Sequence, residues 1–331
     1  MVVIDLISSE GMSAVKEWKS VGEQLALLRQ RGMEVDDDQA AMDYLHRLGY
    51  YRLSGYWYPL RIIDSEASQA AGKPVRCDDF IAGSHFKDVV HLYIFDKKLR
   101  LLALDALERI EMAVRVDVAH LLGERDRYAH ENADCLPGNF TKKTFRKGRH
   151  RGRTAHAVWL EKYQGLVERS RQLPFVAHHR QNYGGRLPIW VAIEVWDFGL
   201  LSHFFSGLRL EDQELIADKY GAESGRAFAN WLRSLNFMRN VAAHHSRMWN
   251  MNVLELVPVP AGWPEMPNAR PFLYFCVMQK LLGTICPNSS WGERFKALLE
   301  NEFPDFPRGS VSREDIGLPR GWEEWGLWTR K

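Results

Sequence analysis

From His85 to Leu122 the chain holds one unbroken apolar period of three to four residues. Phe86, Val89, Val90, Tyr93, Leu99, Leu102, Leu107, Ile110, Val114, Val118 and Leu121 all fall on it, and Gly123 closes it. At about 1.5 Å of rise per residue this spacing predicts a helix more than ~50 Å long. A helix of that length cannot bury its stripe alone, so it predicts a spine against which other elements pack. The flanking sequence repeats the helical theme. Val21 to Arg31 ends at Gly32, and Asp36 or Asp37 caps a following helix, with Gln39 placed to reach back. Val158 to Gln172, Leu187 to Phe205, Glu211 to Tyr220 and Ser224 to His244 read as helices, and Ser290 with Glu293 reads as a capping box before the last one. Tyr50, Tyr51, Tyr56, Trp57 and Tyr58 form an aromatic segment that suits core packing better than base stacking. Asp64 to Asp79 reads as a loop, and the one strand pattern is Val253 to Val259. The expectation is an all-α protein with an N-terminal helical region (1–84), a helical core (85–256) carrying a loop at 135–160, and a C-terminal helical extension (257–331).

With 46% apolar residues the chain of 331 can bury a sizeable core. Cys77, Cys135, Cys276 and Cys286 show no C-x-x-C spacing, which argues against a disulfide framework and fits a reducing cytosol. Met1 to Glu10 lacks the basic start of a signal peptide, and Pro188 to Leu208 is interrupted by Glu194, Asp197 and His203, so no membrane span is expected. We expect a cytoplasmic protein. Neither G-x-G-x-x-G, a Walker A pattern nor H-E-x-x-H occurs. The pairs His178-His179 and His244-His245 are adjacent, and neighbours on a helix point about 100° apart. No metal and no cofactor is expected.

Lys plus Arg is 44 and Asp plus Glu is 42, a near-balance that conceals one local excess. Between Asp134 and Glu161 there is no acidic residue, while Lys142, Lys143, Arg146, Lys147, Arg149, Arg151 and Arg153 all lie there with His150. Gly148 and Gly152 work against a stable helix across the run. Clustered cations release counterions when they neutralise phosphates, so the run reads as a nucleic-acid contact; the plainer alternative is a solvated connector.

Near the end of the Ser224–His244 helix stand Arg239, Asn240, His244 and His245, four strong polar groups in a segment otherwise built for burial. Asn240 and His244 are four apart and share a face. Imidazole gives or takes a proton near neutral pH, and a guanidinium can grip a phosphate and stabilise its transition-state charge. Together they suit metal-free RNA cleavage, in which the substrate's own 2′-hydroxyl attacks the adjacent phosphorus. The alternative is a helix-end cluster bonding free carbonyls. Arg115 and His120 have the same spacing without the Asn and the second His, and read as structural. Glu108, Arg109, Glu111 and Arg115 place opposite charges three and four apart on the long helix, either as a solubilising ladder or as a set that orients Arg239 and His244. Glu194 and Asp197 read as partners of a buried Arg.

Four segments in order, YYRLSGYWYPL (50–60), LYIFDKKLRLLALDALERIE (92–111), PIWVAIEVWDFGLLS (188–202) and NFMRNVAAHHSRMWN (236–250), resemble the Abi-like abortive-infection family of the AbiD/AbiF type. The resemblance spans roughly Val21 to Met251; the tail with Trp322, Trp325 and Trp328 lies outside it. It implies a HEPN-type helical bundle with added N- and C-terminal helices, whose R-x4–6-H motif cleaves RNA. Arg239 and His244 match that motif, Asn240 matches the polar residue after the Arg, and His245 is an extra histidine beside them. The resemblance further implies a homodimer that pairs two motifs and a small non-coding RNA partner of the antitoxin kind. The implied function is a toxin-like anti-phage endoribonuclease. A protein that binds RNA into a ribonucleoprotein without cutting it is the alternative.

Overall fold

Six helix starts in this chain are set by short oxygen-bearing side chains. In the computed structural model, which describes residues 17–306 and 309–329, Ser20, Asp37, Asp64, Thr154, Asp197 and Ser224 each accept the backbone N–H three residues on. The helices are α1 Val21–Gln30, α2 Asp38–Leu48, α3 Tyr50–Trp57, α4 Ser65–Ala71, α5 Phe86–Arg125, α6 Gly138–Thr141, α7 Ala155–Arg169, α8 Pro174–Asn182, α9 Ile189–Ala192, α10 Phe198–Ser206, α11 Leu210–Lys219, α12 Gly225–Ala243, α13 Pro271–Ile285 and α14 Trp291–Asn301. Among the described residues the one sheet is an antiparallel pair, β1 Arg61–Asp64 with β2 Val75–Phe80. The fold is all-α.

Two compact units divide the described residues: 17–90 with 306 and 309–310, and 91–305 with 311–329. In the first, Leu28, Leu45, Leu53, Trp57 and Leu60 are buried, and the Trp57 ring meets Phe80 and Phe86. The hairpin and α4 occupy the stretch expected to be a loop. Its signal is weak because Ile62 and Ile63 are both exposed, so no alternation marks the strand. The Phe80 N–H donates to the Arg31 carbonyl (2.7 Å), and the buried Arg61 guanidinium binds Asp78 (2.8 Å). The aromatic segment splits: Tyr56 and Trp57 are core, while Tyr51 is 88% exposed.

In the second unit α5 runs through Gly123 to Arg125 instead of stopping there. Gly123 answers to packing: a Cβ at that point would lie 3.3 Å from the Trp190 ring. Leu187 to Phe205 is broken into α9, a 3-10 turn at Ile193–Val195, an extended Trp196, and α10. The break lets Trp196 bury itself against Trp159 and Phe204 while Asp197 caps α10. Asp197 and Glu194 are both exposed, so neither is the buried partner of an Arg. Val253 to Val259 forms no strand; Val253 and Val257 are buried, and the Val253 N–H donates to the Ala269 carbonyl (2.8 Å) without a ladder. Pro258 and Pro260 supply no ladder donor there. Gln39 bonds forward to Asp43, leaving Asp37 alone as the cap. Nor does Ser290 make a cap bond: the Trp291 N–H goes to Ser289 Oγ instead (3.2 Å). The C-terminal residues are built into the core, with Phe272, Phe275, Trp291, Phe295, Trp322 and Trp328 packed ring on ring, and Trp291 Nε1 donating to the Leu102 carbonyl of α5 (2.8 Å).

Candidate functional site at the end of α12

Helix α12 ends in a closed cap. The His245 N–H returns to the Ala242 carbonyl (3.1 Å) and the Ser246 N–H to the Val241 carbonyl (3.0 Å), which is the Schellman pattern. That pattern puts one residue in the left-handed region, normally Gly, and here it is His245 at φ 58°. A side chain held there costs on the order of 1 kcal/mol. His244 and His245 are exposed, and Arg239 and Asn240 are half-buried. Arg239 Nη1 donates to Asn240 Oδ1 at 3.3 Å. Five residues of helix turn Arg239 and His244 about 140° apart, so the two face different sides while Asn240 and His244 share one.

Arg239 faces a polar set carried by α5 and the start of α10. Arg115 donates to the Glu111 carboxylate and to the Trp196 carbonyl. Desolvation pushes the Glu111 carboxyl up, against the opposing pull of Arg115 and Arg239; the Asp197 charge adds to the rise. At Gly199 of α10 a Cβ would stand 3.3 Å from Asp197 Oδ1 and in ordinary contact, at 3.6 Å, with the Asn236 amide of α12. Of the acidic and basic residues expected to orient the motif, the structure brings Glu111 to Arg239. Glu108 is exposed. Arg109 donates to Asp105 (2.6 Å) and Ser289 (2.8 Å), on another side of α5.

The basic segment is an ordered turn. Phe145 N–H donates to the Arg153 carbonyl and Gly152 N–H to the Phe145 carbonyl (both 2.9 Å), with Gly148 and Gly152 at positive φ. Lys142, Lys143, Arg146, Lys147, Arg149 and Arg151 are exposed. Arg153 is committed to Glu161 at 2.6 Å, which holds the Glu161 carboxyl below the usual range.

Two residues of weight in this region escape a reading by spacing. Asp96, wholly buried on α5, accepts the backbone N–H of Met248 (3.0 Å) and Trp249 (2.8 Å) and pairs with Arg100. The available signal is a charge pair at i,i+4 inside an apolar stripe; its partners, backbone groups 152 residues away, leave no mark in the sequence. Among the described residues no three His, Cys, Asp or Glu side chains group as metal ligands would, and no helix is long and apolar enough to cross a membrane.

A family model described as Abi-like protein matches residues 43–250. The chain belongs to the Abi-like protein family. The match takes in α5, the break at Trp196–Asp197 and the whole of α12 with its cap, so the cluster around Arg239 lies inside the family region. Family membership supports an abortive-infection-type role. No curated protein and no solved structure matched the chain.

Proposed function

We propose that this Abi-like protein is a toxin-like HEPN endoribonuclease of anti-phage defence, cleaving RNA without a metal and restrained by a small non-coding RNA. The observation that carries the reading is the gathering of half-buried Arg239 and Asn240 with exposed His244 and His245 on the last turn of α12, with Arg239 backed by the desolvated Glu111 carboxylate. In this reading the substrate's 2′-hydroxyl attacks the neighbouring phosphorus, the P–O5′ bond breaks to leave a 2′,3′-cyclic phosphate, and His244 takes the hydroxyl's proton or gives one to the departing 5′-oxygen. His245 stands beside it as the second imidazole. Arg239 balances the charge of the phosphorane, and Asn240 orients the guanidinium it already contacts. Glu111, itself tied to Arg115, holds Arg239 in place electrostatically. Because Arg239 and His244 face different sides of α12, a homodimer that sets one copy's Arg against the other's His would complete the site. The ordered, exposed cations of 142–151 are the contact for the phosphate backbone of substrate or partner RNA.

The test compares wild type with an Arg239→Ala/His244→Ala variant on total RNA in EDTA. Cleavage by wild type alone, leaving 2′,3′-cyclic phosphate ends, is the expected result. If both proteins are inert but carry RNA through purification, the protein binds RNA into a ribonucleoprotein without cutting it, the alternative that the exposed basic turn favours. Absence of both cutting and retention at low salt sinks both readings.

A further inference from the structure

A carboxylate with no exposed surface is expensive unless it does something an apolar side chain of the same size cannot. Asp96 has that character: it is 0% exposed, with Arg100, at 4%, as its partner one helical turn on. The pair captures backbone. Asp96 Oδ1 accepts the N–H groups of Met248 (3.0 Å) and Trp249 (2.8 Å), Oδ2 accepts the Met248 N–H as well (3.3 Å), and Arg100 Nη1 donates to the Ser246 carbonyl (3.4 Å). These are the residues that follow His244 and His245, and Met248 and Trp249 are themselves buried. The turn between helix and capture point carries the strained His245 backbone, a conformation that persists only where the surroundings over-determine it. Two independent restraints thus meet on the end of α12, the Schellman bonds from inside the helix and the buried ion pair from α5.

We propose that Asp96, with Arg100, is a positioning residue: it latches 246–249 to α5 and thereby fixes where the His244 imidazole stands at the mouth of the site. The inference rests on the nuclease reading for its catalytic consequence. Asp96 touches no substrate; its effect passes through the backbone to His244.

Asp96→Asn alone would take from buried Arg100 the carboxylate it pairs with, so the informative variant is Asp96→Asn/Arg100→Met, tested in the full chain. We expect it to fold with a Tm near wild type, since an ion pair replaced by neutral groups of similar volume is commonly tolerated. Its kcat on RNA should fall about 10- to 100-fold with KM little changed, the scale of a catalytic group displaced by roughly 1 Å. The amides of 246–249 should exchange faster with solvent, and the His244 imidazole resonances should shift. A wild-type kcat and pH–rate profile, or a rate loss no larger than the loss of folded protein, overturns the proposal. Should the double variant not fold, Asp96→Glu, which keeps the ion pair but moves the carboxylate by one methylene, is read by the same criteria. If the wild type cuts no RNA, the nuclease reading fails separately. Amide exchange and the His244 resonances then decide the latch alone, and unchanged values refute it.

Discussion

His130 has no exposed surface, and among the described residues its ring nitrogens find no hydrogen-bond partner; the Tyr163 ring lies 5.1 Å away and the Trp196 ring 6.1 Å. Desolvation, helped by Arg186 and His156, lowers its pKa to about 3, against a weak opposing pull from Asp126. Glu131 Oε1 stands 3.6 Å from Nε2, too far to hold a proton there. His156 and His203 are likewise pushed below the usual range by burial. The sign follows directly. Below about pH 6.5 the unfolded chain takes up protons that the folded chain refuses, so stability falls with pH from about 6.5 toward about 3. His130 alone accounts for at most about 5 kcal/mol of that loss. Urea midpoints measured from pH 7 to pH 4 should fall steadily, and His130→Phe should flatten the fall; an unchanged slope in that variant would refute the assignment. Nothing in the spacing around His130 distinguishes it from an exposed histidine. Its character comes from Trp159, Tyr163 and Trp196, brought to it from two other segments.

Among the elements, the basic turn offers the sharpest contrast between what composition says and what geometry allows. Seven cations in a row of positions read as one undivided footprint, yet Arg153 is turned back onto Glu161 and the Ala157 carbonyl, leaving the exposed six as the surface that can meet phosphates. Neutralising Arg149 and Arg151 should lower the slope of log binding constant against log salt for single-stranded RNA by about 1.4, while Arg153→Ala should change it less. Equal effects from all three would show that Glu161 does not hold Arg153. Elements with local signals behaved as expected: Ser224 caps α12 and Asp37 caps α2 within a residue of where the pattern places them. Three failures share one cause. Gly123 as a stop, Ser290 as a cap and one helix from Leu187 to Phe205 are each reasonable locally, and each yields to a neighbour, whereas the Val253–Val259 strand fails on its own Pro258 and Pro260. Trp190 needs the space at Gly123, Ser289 takes the cap bond, and Asp197 starts a new helix so that Trp196 can be buried.

At the scale of the whole molecule the C-terminal residues are packed into the core of the unit that bears the site. Pro271 to Met278 is buried at every position, and α12, α13 and α14 share one core with α5. A chain ended at Leu256 should therefore lose its cooperative thermal transition, seen by far-UV circular dichroism, and expose apolar surface; a cooperative melt at the wild-type Tm would contradict this packing. The sequence alone determined the all-α class, a single long α5 though not its end, and the position of α12 with Arg239, Asn240, His244 and His245 at its last turn. Those depend on periods of 3.6 and on caps three residues away, which are written locally. Only the tertiary structure decided that Glu111 rather than Arg109 faces Arg239, and that His245 carries a strained backbone. The tertiary structure also revealed that a buried Asp96 holds the turn beyond it. The first and the last of these join groups far apart in the chain, because burial leaves a charge or an N–H few places in which to be satisfied.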